Sequence, residues 1–207
     1  MRSEIGLLLL CGLSLATAGC DRRSGGEGQG KPDNAATGVT SGEVAPSAKS
    51  GAEEAGAPAG KIDRSHKGEG VPAVTFSAAG NKDVSLKDFK GKPLLVNLWA
   101  TWCGPCIAEM PALDRTAEVH AKDGLQVVAV SQDMDEEERV VAFFKARKLP
   151  HLALYRDPEN QLGFHYATGL LPTTVLYDRQ GKEIARIAGA MDWTGVEAEA
   201  LIAEALK

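Results

Sequence analysis

Basic clusters are scarce in this chain of 207 residues. Apart from Arg22-Arg23 and the Lys90–Lys92 pair its cations are dispersed, and the formal net charge is -5. A nucleic-acid surface needs a concentrated basic footprint, so nucleic acid is set aside as a partner. Long apolar runs are missing too: the one such stretch, Ile5 to Leu13, is too short for a stable membrane-spanning helix. Between Asp21 and Gly70 large apolar residues are nearly absent. A segment of Gly, Ser, Ala, Glu and Pro cannot bury enough surface to offset its ordering entropy. Cysteine is limited to Cys11, Cys20, Cys103 and Cys106. Four could make two disulfides, but two belong to the N-terminus and two form a close pair, so they are different in kind.

At the N-terminus, Arg2, the apolar run and the small residues Ala16-Thr17-Ala18-Gly19 read as a secretory signal over residues 1–19, with Cys11 inside it. Thr17-Ala18-Gly19-Cys20 resembles a bacterial lipobox, with Thr17 where leucine is usual; Cys20 would then be lipidated and become the mature N-terminus. An ordinary cleaved signal followed by an incidental cysteine also fits these residues. Asp21 looks like the residue that in some bacteria retains lipoproteins at the inner membrane. Residues 20–70 are expected to be a disordered tether, whose root-mean-square reach is roughly 40 Å.

From Val71 the apolar pattern returns. Alternation around Val74-Thr75-Phe76, a Gly80-Asn81 turn and Val84-Ser85-Leu86 predict a short N-terminal hairpin. Pro93 to Trp99 is nearly continuous in apolar residues, as a central strand covered on both faces requires. A helix is expected over Pro105 to His120, where Pro105 suits the first turn and Pro111 is placed to kink it. Leu125 to Val130 reads as the next strand, and Asp135 with Glu138 as an N-cap pair opening a helix through Arg147. This succession implies parallel pairing. Leu152 to Tyr155, a short helix near Asn160 to Tyr166 and a strand over Thr173 to Asp178 follow. Asp178-Arg179-Gln180-Gly181 then turns the chain into an antiparallel strand to Ala188, before a last helix from about Asp192 to Leu206. The pattern is one α/β domain over residues 71–207.

Cys103 and Cys106, separated by two residues at a helix start, can close and reopen a small disulfide ring with little backbone movement. Cys103 sits where free helix N–H groups favour a thiolate; Cys106 lies one turn inside. Cys103 is therefore the expected attacking sulfur and Cys106 the resolving one. Lowering a thiol pKa from about 8.5 to about 7 raises the thiolate fraction at neutral pH from roughly 3% to roughly half. Half of a zinc site is the competing reading of Cys-x-x-Cys, but it needs a second ligand pair, and Cys20 is the sole other cysteine beyond the signal. His66, His120, His151 and His165 are scattered without ligand spacing, so neither a metal nor another cofactor is expected. The acidic run Asp133 to Glu138 reads as a solvated, capped helix start or a docking patch.

Trp99-Ala100-Thr101-Trp102-Cys103-Gly104-Pro105-Cys106 is similar to the thioredoxin active-site segment, and the similarity covers Val71 to Lys207. The resemblance implies a thioredoxin-like fold: a central mixed β-sheet flanked by helices, with an N-terminal hairpin and an inserted helical segment. It places Trp102, Gly104 and Pro105 on a substrate-binding rim. Gly169-Leu170-Leu171-Pro172-Thr173-Thr174 looks like that family's cis-proline loop, which implies a cis Pro172 and a Leu171 backbone offered to substrate; an ordinary trans proline before a strand is the alternative. Gly189 matches a position where glycine lets the partner backbone approach, and a simple strand-ending glycine fits as well.

The tether, the Lys87-Asp88-Phe89-Lys90-Gly91-Lys92 lead-in and Glu109-Met110-Pro111 resemble membrane-anchored extracytoplasmic reductases of the TlpA/ResA type, which assist cytochrome c maturation or related thiol delivery. That resemblance implies that Glu109, three residues after Cys106, tunes the cysteines and handles protons, while a solvated helix glutamate is the plain reading. Cytoplasmic thioredoxins carry a buried aspartate six residues before the first cysteine. Here that residue is Asn97, which cannot accept the proton and leaves Glu109 as the nearest acid in sequence.

Gly-Pro between the cysteines is associated in the family with a reducing poise. Potentials near -270 mV for thioredoxin and -120 mV for a strong periplasmic oxidant differ by about 7 kcal/mol. In an oxidising compartment such a pair stays trapped as disulfide without a donor, so the expected partners are disulfide-bearing proteins, an integral membrane thiol reductant, and the membrane through the lipid. The expected location is extracytoplasmic, on the periplasmic side, at the inner membrane. An oxidase or isomerase, a copper-site assembly chaperone and a peroxidase are the competing activities; the peroxidatic threonine-and-cysteine arrangement is absent.

Overall fold

The computed structural model describes residues 60–134 and 137–207. The expected signal at 1–19, Cys20, most of the expected tether and the capping Asp135 lie outside the described residues. The elements are β1 (Lys61–Asp63), β2 (Thr75–Ala78), β3 (Lys82–Ser85), β4 (Leu94–Trp99), α1 (Gly104–Val119), β5 (Gln126–Ser131), α2 (Glu137–Arg147), β6 (Tyr155–Arg156), α3 (Gln161–Tyr166), β7 (Thr173–Tyr177), β8 (Glu183–Ala188) and α4 (Val196–Ala205).

The eight strands form one mixed sheet in the order β1-β8-β7-β4-β5-β6-β2-β3. β4, β5 and β6 run parallel, as the expected strand–helix alternation requires. β7 runs antiparallel beside β4, and β8 pairs antiparallel with β7. The hairpin β2–β3 turns through Ala79, Gly80 and Asn81, the last two at positive φ (72° and 57°), a backbone that glycine and asparagine adopt most readily. α3 supplies the expected inserted helical segment.

Every residue of β4 is buried, because both faces of the sheet are covered. Leu95 and Trp99 point into a cluster with Met110 and Leu113 of α1, Val140 of α2 and Leu201 and Ile202 of α4. Leu94, Val96 and Leu98 point the other way, into a cluster with Phe76, Leu162 and Tyr166. Asn97 alternates onto the α1 side, the one polar residue in an otherwise apolar strand.

Two expectations need correction. The domain does not begin at Val71: Lys61–Asp63 pairs antiparallel with β8, and Gly70 bridges to Lys182. This edge strand is polar and half-exposed, with only Ile62 packed on the core, and its main-chain pairing leaves no apolar alternation to read. The Leu152 to Tyr155 segment contributes only its last residue to a strand, Tyr155–Arg156. The last helix starts at Val196 rather than Asp192, because the Asp192 carboxylate accepts the Thr194 N–H and hydroxyl while its carbonyl accepts the Gly195 N–H, closing a turn first.

Candidate active site

β4 ends at Trp99 and delivers the chain to Thr101-Trp102-Cys103 at the sheet's carboxyl edge. Below this turn, buried Asp133 accepts the Thr101 N–H (2.9 Å), the Thr101 hydroxyl (2.6 Å) and the Ser131 hydroxyl (2.7 Å). The turn that presents Cys103 is thereby tied to the end of β5. Cys103 is the N-cap of α1 and its sulfur accepts the Cys106 N–H at 3.3 Å. The two sulfurs are joined as a disulfide, with Cα atoms 5.3 Å apart. Cys106 is wholly buried and Cys103 nearly so, whereas Trp102 stands out into solvent. Gly104 and Pro105 form the first turn of the helix, and α1 continues through Pro111 as one element.

Glu109 lies one turn beyond Cys106 and is buried. Its Oε1 accepts Asn97 Nδ2 (2.8 Å), and its Oε2 accepts the Met191 N–H (3.2 Å) and Trp193 Nε1 (3.3 Å). Burial pushes its carboxyl up to about 7, against the opposing pull of the donors from Asn97, Met191 and Trp193. Asn97 spends its other amide proton on Thr174 Oγ1 at 2.9 Å, its register partner across the β4–β7 ladder. The solvated-glutamate reading of Glu109 thus gives way to a buried acid within one turn of the sulfur pair, at the pKa where it can carry or release a proton at neutral pH. A cavity of about 510 Å³ opens beside it, lined by Pro105, Ala108, Met191 and Asp192.

The register that sets Thr173 opposite Leu98 brings the Leu171-Pro172 turn to the same sheet end as the cysteines. The Leu171–Pro172 peptide bond is cis. Gly189, just past β8 with φ 102°, donates its N–H to the Pro172 carbonyl at 2.9 Å and so links that turn to the loop holding Glu109. Trp102, Cys103, Gly104, Pro105, Cys106, Glu109, Leu171, Pro172 and Gly189 thus gather at one edge. Cys20 falls outside the described residues. Sequence reading missed Asp133, Thr174 and Trp193. Asp133 was visible only as part of an acidic run, and the contact between Trp193 and Glu109 spans 84 residues with no local signal.

The Redoxin family matches this chain over residues 66–204. The chain belongs to that family. The thiol-disulfide oxidoreductase ResA of Bacillus cereus is 32% identical over 122 residues, covering 59% of this chain and 69% of the relative. The thiol:disulfide interchange protein HelX of Rhodobacter capsulatus is 32% identical over 128 residues, covering 60% and 69%. The exposed lipoprotein thioredoxin of Streptococcus pneumoniae superposes with a TM-score of 0.54 at 25% identity, over 63% of this chain and 98% of that one. The fold is thioredoxin-like, and the Redoxin domain is a ResA-type thiol-disulfide oxidoreductase.

Proposed function

We propose that this protein reduces disulfides of extracytoplasmic proteins through Cys103 and Cys106. The Cys103 thiolate attacks one substrate sulfur, forming a mixed disulfide and releasing the other substrate sulfur as a thiolate that takes up a proton. Glu109 accepts the proton of Cys106, whose thiolate then attacks Cys103 Sγ. The second substrate thiol leaves, and two electrons have passed from the cysteine pair to the substrate, leaving the Cys103–Cys106 disulfide.

The observation that carries this reading is the Cys103 sulfur capping α1, with Cys106 and a buried carboxyl directly behind it. Helix N–H groups aimed at Cys103 stabilise its thiolate, which suits it both to attack and to leave. Trp102, Gly104, Pro105, the Leu171 backbone, Pro172 and Gly189 form the surface the substrate chain crosses. Gly-Pro between the cysteines supports the reducing direction, with cytochrome c maturation or related thiol delivery as the setting. Cys20 supplies a lipid anchor, and an integral membrane thiol donor regenerates the pair. The lipoprotein character of the Streptococcus pneumoniae neighbour supports such an anchor.

Replacing Cys106 with Ala tests the reading, since mixed disulfides at Cys103 then cannot resolve. Captured disulfide proteins that vanish when Cys103 is also replaced support it; capture that persists without Cys103 overturns it. A measured potential above about -180 mV would reverse the proposed direction of electron flow.

A further inference from the structure

Four large apolar side chains stand in solvent around a single groove: Trp102 (68% exposed), Met134 (83%), Phe164 (75%) and Leu170 (57%). The groove, about 470 Å³, runs from Trp102 beside Cys103 to Phe164 on α3, with Leu171 and Thr173 in its wall. The other exposed large apolar residues among those described, Val119, Val141 and Val196, line no part of it. Apolar side chains collected at one concave place, at a cost in solvation, mark an interaction surface.

A polar group completes the groove. Gln132 lines it while remaining 94% buried, and its Oε1 has no hydrogen-bond partner among the described residues. A buried acceptor left unpaired costs free energy that an incoming donor would recover. An extended peptide offers both kinds of group at once: a side chain for the apolar walls and a backbone N–H for the amide oxygen.

We propose that this groove is a specificity pocket for a large apolar side chain that the substrate protein carries within a few residues of its target cysteine, with Gln132 accepting a backbone N–H of the same segment. The occupant is the substrate chain because the groove is continuous with the disulfide edge through Trp102 and Leu171. This inference rests on the disulfide-reductase reading above.

The test uses the full chain, reduced, with two disulfide-linked peptides that differ only in Leu or Ser beside the reacting cysteine, and with oxidised glutathione as a small disulfide. The Leu peptide should react roughly tenfold faster than the Ser peptide, about 1.4 kcal/mol. Phe164→Glu and, independently, Leu170→Ser should bring that ratio close to one, while Val196→Ser, on a distant exposed residue, preserves it. Gln132→Leu should slow both peptides severalfold at an unchanged ratio. Equal rates for the two peptides in the unsubstituted protein, with glutathione disulfide still reduced, would overturn the pocket and leave the reductase reading standing. Failure to reduce any disulfide would overturn both. A dimer that Phe164→Glu dissociates, with the peptide ratio unchanged, would assign the groove to a second copy and overturn the substrate assignment.

Discussion

Asn97 on β4 donates to Glu109 on α1 at 2.8 Å, so the residue that replaces a buried aspartate is the one that holds the buried acid in place. Because burial raises the Glu109 carboxyl from 4.5 to about 7, the folded state binds its proton more tightly than the unfolded chain does. As pH rises through 4.5 the unfolded state loses its proton first, so this residue's contribution to stability is intact below that pH and declines up to about 7. Above that it is flat. The total is roughly 3 kcal/mol, from about 1.4 kcal/mol per pH unit. The difference between denaturation curves of the native protein and Glu109→Gln should therefore change across pH 4.5 to 7, and a pH-independent difference would refute the buried-acid assignment.

The same substitution should also alter turnover. With Glu109 accepting the Cys106 proton, disulfide reduction by the native protein should rise through an inflection near 7. Glu109→Gln should lose that inflection and fall by about a hundredfold, the usual scale for removing a general base. Unchanged pH profiles of turnover and of Cys103 alkylation would show that Glu109 has no part in proton handling.

Trp193 donates to the same carboxylate from the loop before α4 and is itself fully buried. Trp193→Phe removes one donor that favours the charged form, so the Glu109 inflection should move upward, by about half to one pH unit for a bond of about 1 kcal/mol. The smaller ring also leaves unfilled volume, with an expected loss of about 1 to 3 kcal/mol in stability. An inflection that stays in place or moves down would exclude the donor role.

Much of this site could be read in the chain itself, since its parts are local: cysteines separated by two residues, a proline between them, an acid one turn on. Pro172 was legible because the Gly-Leu-Leu-Pro-Thr-Thr segment resembles the cis-proline loop of thioredoxins. The partners of Glu109 were not. Asn97, Met191 and Trp193 reach it only through strand register and a loop after β8, and neither leaves a periodic trace in sequence. β1 stayed hidden because an edge strand needs main-chain pairing more than apolar alternation.

Asp133 accepts three hydrogen bonds and holds the turn that presents Cys103. Asp133→Ala would strand the part-buried Thr101 N–H and hydroxyl and the buried Ser131 hydroxyl, at a cost of about 2 to 4 kcal/mol. A turn freed from β5 should also let Cys103 alkylate with a shifted pH midpoint relative to the native protein. Asp133→Asn keeps the shape and part of the acceptor capacity, so it should recover about half of the stability. Equal stability of Asp133→Ala and the native protein would refute this anchoring.

Gly60 occupies the point where β1 meets the loop holding Glu109. Its N–H donates to the Ala190 carbonyl at 2.6 Å, and a Cβ there would lie 2.6 Å from Ile187 Cγ2 and 2.8 Å from the Gly189 carbonyl oxygen. Two of the three nearest atoms are backbone, so the loop cannot yield as a flexible side chain would. Gly60→Ala should therefore cost about 1 to 3 kcal/mol, lowering the melting temperature by roughly 3 to 10 °C in a domain of this size. Strain there falls first on the Gly189-Ala190-Met191 segment, which supplies the Met191 N–H to Glu109. Hydrogen exchange should accelerate at Lys61–Asp63 and at Met191 ahead of β4 and β7. Native exchange at those positions, together with an unshifted melting temperature, would show that the seam between β1 and β8 tolerates a side chain at residue 60.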